Sequence, residues 1–515
     1  MADLVRSPAG LEADGAHVST ATPRAQGRLA RTRYFCAPLR SRLTAHWPVA
    51  LLSLVLFGVY SVYALARQAT YLTAGYDLGI FDQAVRKYAH FRAPIVALKG
   101  ADYNIFADHF HPIIALAAPL YWVFDSPCTL LVVQAALIAA SVPFVHAFAR
   151  RRMGAGAALA IAAVYGTGWA LQAMVDFDFH EVAWGVPILA ATIDALDRRN
   201  DRTLLVCAGL LMLVREDMGV ILVVIGLLRL WQRPRRTGLW LIGVGAVGYF
   251  LVTTLIIPAF APNGRFAYWT FDALGSDLPH ALINIVAHPL RTVRLFVTPS
   301  IKAETLGFFL VPLALLPLRS RYALIALPLL AERFFNSRSQ VWSTHYHYNA
   351  LPWVVLVLAM IDGADRLGIF SRRLPARALI SYLVAVAVLM SVVPNPTPKV
   401  FRRMATGEAW RVNQHLRDQR AAVAQLPSGV CVSVDDRLAA QVTSRDRVTL
   451  PGVSTPRTDF VALDLSQATV GFELPAPQVI LAGVQAKGYV TVFRQGDLIV
   501  LRSPAYAGPT TGCRP

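Results

Sequence analysis

Long apolar runs, separated by short polar stretches, recur along most of this chain. They fall near residues 48–66, 128–149, 155–174, 182–197, 202–215, 218–232, 238–258, 303–318, 321–334, 349–362 and 377–394. A helix crossing the hydrocarbon core of a membrane needs roughly 20 mainly apolar residues. The pattern therefore predicts a mainly α, polytopic fold with about eleven transmembrane helices. The stretch 112–124 is shorter and bounded by proline, so a re-entrant or interfacial helix is expected there. Past residue 394 the pattern changes. Residues 402–425 look helical, while GVCVSVDD (429–436) and DFVALDL (459–465) look like strands. YVTVFRQGDLIVLR (489–502) alternates about a Gln-Gly-Asp turn, the signature of a hairpin. This end of the chain is expected to be an α/β domain, with nothing in it that looks catalytic.

Composition agrees with the membrane reading. Hydrophobic residues make up 55% of the 515 and charged residues only 16%, against about 25% in soluble domains. Mean hydropathy is +0.47. A net charge of +18 would suggest nucleic acid in a soluble protein. Here the cations cluster in short segments between apolar runs, so the expected partner is the lipid bilayer and no nucleic acid. Residues 1–45, with Arg6, Arg24, Arg28, Arg31, Arg33, Arg40 and Arg42, read as a disordered basic cytoplasmic tail. No cleaved signal peptide is evident in them.

Lysine and arginine counts orient the rest. Arg150–Arg152, then Arg198, Arg199 and Arg202, then Arg229, Arg233, Arg235 and Arg236 fall where strict alternation demands inside loops. So do Arg319 and Arg321, and Arg366, Arg372, Arg373 and Arg377. The expected organisation is a tail at 1–45, a transmembrane domain at 46–394 and an exterior α/β domain at 395–515. The first exterior loop is 67–127. The expected location is the bacterial plasma membrane, multi-pass, with a cytoplasmic N-terminus. The five cysteines lack metal-site spacing. Cys128 and Cys207 fall in apolar runs, and a Cys431–Cys513 disulfide is left open.

This threading collects five polar clusters on the outer face: YDLGIFDQ (76–83), DHFH (108–111), DFDFHE (176–181), RED (215–217) and STHYHYN (343–349). Acids at membrane depth are costly and usually functional. Asp77 reads either as a helix N-cap or as a general base aimed into a cavity. Asp82 stands four residues before Arg86, the spacing of an ordinary helix ion pair. Asp108, His109 and His111 form either a polar interfacial segment or, as a minority reading, a metal or phosphate site. In DFDFHE, Phe177 and Phe179 alternate with the acids, and an extended chain would put the acids on one side and the aromatics on the other; the three carboxylates, Asp176, Asp178 and Glu181, have no cation near them in sequence. Arg215 pairs naturally with Glu216 or Asp217. Glu332, Arg333, Arg338, His345, Tyr346, His347 and Tyr348 surround a further loop, where Arg333 or Arg338 could grip a phosphate bidentately. There is no Walker A loop, GxGxxG or HExxH, which removes support for nucleotide hydrolysis, dinucleotide chemistry and zinc proteolysis.

The order YDLGIFDQ, DHFHPI, FDFHE, REDMG, HYHYN, followed by SVDDRLAAQVTSRDRVTLPG and DFVALD, resembles the DUF2079 family of bacterial membrane proteins. The resemblance covers roughly residues 50–465. That family in turn is distantly similar to the GT-C glycosyltransferases, multispanning enzymes that use polyprenyl-phosphate-linked sugars on the outer face. The resemblance implies a GT-C-like fold and an essential acid in the first exterior loop, at Asp77. It also implies a polyprenyl-phosphate sugar as donor and a cell-envelope glycan, lipid or protein as acceptor. Where the pattern has Lys before Glu-Asp, this chain has Arg215, which keeps the charge and changes the donor geometry. Donor and acceptor would then be bound by Asp82, Asp108, His109, Asp178, His180, Glu181, Arg215, Glu216, Asp217, Arg333, Arg338, His345, Tyr346 and His347. Should a divalent cation take part, Asp77, His109, His111 and Glu181 are the candidate ligands. The alternative from another class is a transporter or lipid-handling protein with the acids and histidines as a proton or ion relay. A third is an inactive relative whose exterior domain binds a partner.

Overall fold

Helices form along the apolar runs, and their lengths separate them into two kinds. The computed structural model describes residues 27–232, 234–453, 457–466, 475–508 and 513, with the backbone alone for 27–45. Among these residues four helices are long and apolar enough to cross a membrane: His46–Ala69, Cys128–Arg150, Arg236–Phe260 and Arg373–Val392. Ala155–Gly166 and Trp169–Val175, bent by 42° at their junction, make a fifth if counted as one span. The remaining expected spans are shorter helices. Val182–Asp197 has 16 residues, Asp201–Met212 has 12, Met218–Leu230 has 13 and Ala350–Arg366 has 17. At 1.5 Å per residue, a 16-residue helix covers about 24 Å, less than the roughly 30 Å hydrocarbon core. Such helices are tolerated where protein rather than lipid surrounds their ends. Every residue from Ala350 to Ala364 is buried. Ser300–Leu310 and Ala326–Phe334 are shorter still, so the expected spans at 303–318 and 321–334 are fragments of helix joined by 3₁₀ turns.

The chain divides into two units, Met1–Pro48 and Val49–Pro515. The first helix begins at Gly27, so residues 27–45 are helical rather than a disordered tail. Their Ala, Leu and Arg are good helix formers, and positive charge alone does not oppose a helix. Arg6, Arg24 and Arg233 lie outside the described residues. At 112–124 a 3₁₀ segment, Pro112–Ala117, runs into the short helix Ala118–Tyr121, leaving Leu116, Leu120, Trp122, Val123 and Phe124 exposed.

Toward the C-terminus lies a five-stranded sheet. Its strands are β1 (Cys431–Val434), β2 (Arg447–Thr449), β3 (Phe460–Asp464), β4 (Val490–Gln495) and β5 (Leu498–Arg502). Their order is β2-β1-β3-β5-β4. β1 runs parallel to β2 and β3, while β3–β5 and β4–β5 are antiparallel. The β4–β5 hairpin turns at Gly496, whose φ of 56° suits a residue without Cβ. Residues 402–425 are two helices, Val400–Ala405 and Gln414–Ala424, rather than one. Cys431 and Cys513 are bonded. One hydrophobic core runs from Val49 in the first helix through the bundle to Val500 in β5. The sheet is therefore packed into the same core as the helices.

Candidate functional site

All five polar clusters contribute residues to the lining of one cavity of about 850 Å³. Its floor is set by a single wide turn. Gly75–Gly79 leads into helix Ile80–Ala89 and carries Asp77. Asp77 caps nothing: the residue preceding the turn is Ala74, and its N–H donates to Asp178 Oδ2 at 2.6 Å. Asp77 instead reaches His180, with Oδ1 3.1 Å from Nε2, and its side chain keeps 24% exposure. His180 Nδ1 lies 3.0 Å from Glu181 Oε2. Glu181 Oε1 in turn is 3.7 Å from Arg215 Nη1. The result is a chain of alternating charge, Asp77–His180–Glu181–Arg215, along one wall.

Burial disfavours an imidazolium at His180, but Glu181 and the hydrogen bonds to Asp77 and Glu181 outweigh it and raise its pKa to about 9. Burial pushes Glu181 upward as well, yet His180 and Arg215 hold its carboxyl well below the usual range. His347 stacks on His180 with ring centroids 3.4 Å apart. Burial, reinforced by the charge on His180, keeps His347 neutral well below the ordinary imidazole value. Burial also lowers His111, whose Nδ1 is buried without a partner.

A second bank of charge continues the wall. Arg215 donates from Nε to Asp217 at 2.7 Å and from Nη2 to Glu332 at 3.0 Å. Glu216 faces the other way, meeting His109 Nδ1 at 2.6 Å and accepting from the Phe110 N–H at 3.1 Å. Asp108 pairs with Lys99 at 2.5 Å and accepts from the Tyr268 hydroxyl. Burial opposes the Asp108 charge, and Lys99 more than offsets it, so its pKa is lowered. Asp176 and Asp178 face Arg67 at 3.4 and 3.5 Å, and Asp176 also holds Arg403 at 2.5 Å. The acids that lack cations in sequence thus find them on distant helices.

The cavity gathers Asp77, Asp108, His109, His111, Asp178, His180, Glu181, Arg215, Glu216, Asp217, Arg333, Arg338, Tyr346 and His347. It does not gather Asp82 or His345. Asp82 is fully buried against Arg86 at 3.0 Å and the Tyr121 hydroxyl at 2.8 Å, so its spacing to Arg86 was its whole purpose. His345 is exposed on the far side of its loop, because the chain reverses at Tyr346 with φ of 67°. The expected sorting of DFDFHE also fails for one aromatic. Phe179 turns into the core against Phe81, whereas Phe177 lines the cavity beside His180 and Tyr346.

Arg333 is not free to grip a phosphate in bidentate fashion. Its Nε and Nη2 donate to the carbonyls of Val341 and Ser343, each at 2.9 Å. Arg338 is free. Among the described residues its guanidinium has no carboxylate partner, its Nε is buried unpaired, and it sits 5.4 Å from the centre of the Tyr268 ring. Arg338 stands where the charged wall meets an apolar one lined by Phe266, Trp269, Phe271, Leu274, Leu278 and Ile285. Sequence reasoning missed Lys99, Tyr268 and Asp436, which also line the cavity. Lys99 and Tyr268 lie in long loops with no pattern of their own.

Asp77, His109, His111 and Glu181 all line the cavity, but among the described residues no three of them are grouped closely enough for one ion. Glu181 is committed to His180 and Arg215, His109 to Glu216, and Asp77 to His180. Among the described residues, Cys431, Asp459 and Cys513 are grouped closely enough for a metal, but the two sulfurs are bonded to each other.

Residues 67–482 match the model of a family described as predicted membrane protein, DUF2079. The chain belongs to that family. No curated protein matches it. In fold, this DUF2079 protein is similar to the crystal structure of ArnT from Cupriavidus metallidurans bound to undecaprenyl phosphate. That match has 15% identity and a TM-score of 0.52 over 90% of this chain and 100% of that one. The crystal structure of the Archaeoglobus fulgidus oligosaccharyltransferase tethered with an acceptor peptide matches at 12% identity and TM-score 0.40, over 82% and 70%. The likeness to ArnT is one of fold alone.

Proposed function

We propose that this protein is a membrane glycosyltransferase that moves a sugar from a polyprenyl-phosphate donor to an acceptor hydroxyl. The observation that carries the reading is the pairing of two features in one cavity. Asp77, partly exposed, stands on the acidic wall, and Arg338, without a carboxylate partner, stands at the edge of the apolar wall. An isoprenoid chain suits the apolar side, and its phosphate suits a free guanidinium. ArnT, whose fold this chain shares, binds undecaprenyl phosphate.

In the reaction, Asp77 takes the proton of the acceptor hydroxyl as that oxygen attacks the anomeric carbon. The bond from that carbon to the phosphate oxygen breaks, and polyprenyl phosphate leaves with the electron pair. Arg338 neutralises the charge growing on the leaving phosphate. His180 holds one oxygen of Asp77 and leaves the other to the acceptor. The Cys431–Cys513 disulfide supports placing the C-terminal segment on the exterior side, where disulfides persist.

The test is transfer from a polyprenyl-phosphate sugar in membranes carrying the full chain. Asp77→Asn is expected to lower the rate about 10²–10⁴-fold, the usual worth of a positioned base. Undiminished transfer by that variant overturns the role of Asp77. Counterflow of a labelled solute in proteoliposomes, indifferent to lipid-linked sugar, would favour a transporter instead.

A further inference from the structure

One motif of the sequence has no role in the chemistry above: VDDRLAA, residues 434–440, at the end of β1. In the fold it forms the short helix Asp436–Ala439, packed against the turn that carries Asp77. The Tyr76 N–H donates to Asp436 Oδ1 at 2.7 Å. Two residues earlier, the Ala74 N–H donates to Asp178 Oδ2 at 2.6 Å. The amides on both sides of Gly75 are thus held by carboxylates from different parts of the chain. Gly75 itself is pressed so closely that a Cβ there would lie 2.4 Å from the Cβ of Ala439. The seam continues on either side. Gln68 donates to the Ala440 carbonyl at 3.1 Å and Gln83 to the Val448 carbonyl at 2.9 Å. Arg437 donates to the carbonyl of Leu72.

We infer that Asp436 is a positioning residue for Asp77, so that the C-terminal α/β segment completes the membrane site by fixing the backbone on which the base stands. The inference rests on the transferase reading. A base must be held within hydrogen-bond reach of its proton, and a misplacement of about 1 Å can cost about 10²-fold in rate. With Tyr76 and Ala74 clamped and Oδ1 tied to His180, Asp77 has little freedom left.

The clamp also responds to acid. Asp436 faces Asp77, Asp178 and Arg437, and its Oδ2 is buried without a partner. Burial, aided by the charges on Asp77 and Asp178, raises its pKa to about 6 against the pull of the Tyr76 amide and Arg437. As pH falls through that value Asp436 gains a proton, and the Tyr76 amide loses its charged acceptor.

The test compares wild type, Asp436→Ala and Asp436→Asn as full chains in detergent micelles and membranes. Amide exchange of residues 73–80 reads the clamp, and the pH profile of transfer reads the base. In Asp436→Ala, exchange is expected to rise and kcat to fall about 10–100-fold with KM unchanged. Asn keeps an oxygen acceptor without the charge, so Asp436→Asn is expected to recover protection and kcat part-way, to the level wild type falls to below about pH 6, and to show no acid limb there itself. Wild-type exchange and kcat in Asp436→Ala overturn the inference, as does an Asn variant no better than Ala. If wild type itself transfers no sugar, the transferase reading fails, and the exchange data alone still decide whether Asp436 holds the turn.

Discussion

His180 meets a carboxylate at each ring nitrogen, and this sets how the site answers to pH. Its folded pKa is about 9, above the ordinary 6.5 of an imidazole. The stabilisation from its pairs with Asp77 and Glu181 is therefore complete below pH 6.5 and is lost as pH rises through about 9. Thermal unfolding of the purified protein should show wild type losing more stability than His180→Gln across that window. Arg333, in the last turn of helix Ala326–Phe334, and Arg338, in the loop after it, separate in the same way. Arg338→Ala should raise KM for the lipid donor about tenfold or more while leaving the melting temperature near wild type. Arg333→Ala should do the reverse, because the carbonyls of Val341 and Ser343 lose their buried donors. Titration calorimetry with polyprenyl phosphate and melting curves distinguish the two. The kinds of residue at the site were legible in the sequence, as were the local pairs Asp82–Arg86 and Arg215–Asp217; the pairings between distant segments were not. Asp82 and Asp77 share one short motif, yet one is sealed against Arg86 and the other lines the cavity. That difference depends on which helix arrives opposite, and local spacing says nothing of it.

At the scale of elements, the apolar runs marked where helices lie but not how far each one extends. Val182–Asp197 and Met218–Leu230 start where DFDFHE and RED break the backbone to form the cavity wall, so chemistry cuts these helices short. The strands were legible because alternation and the Gln-Gly-Asp turn are local signals. The use of the segment between β1 and β2 was not, since it arises from a contact with a turn near the start of the chain. That contact can be tested sterically. Gly75→Ala should push the turn off Ala439 and cost about 1–3 kcal/mol, the range for overpacking. Chemical denaturation should show the loss, with Gly58→Ala, which meets no neighbour within 4 Å, as the control.

For the molecule as a whole, helices and sheet share one core, and a disulfide ties β1 to a residue 82 positions later. Cys513→Ser should lower stability by about 2–4 kcal/mol and expose the strands after β3 to protease first. Limited proteolysis under oxidising and reducing conditions reads that difference. The Tyr76–Asp436 hydrogen bond joins residues 360 apart. Ribosomes add about 5–20 residues per second, so roughly 20–70 seconds pass between the emergence of the two. Throughout that interval the turn is held at Ala74 by Asp178, 104 residues on, and lacks its second anchor at Tyr76. The turn under Asp77 is thus completed only when translation is nearly finished.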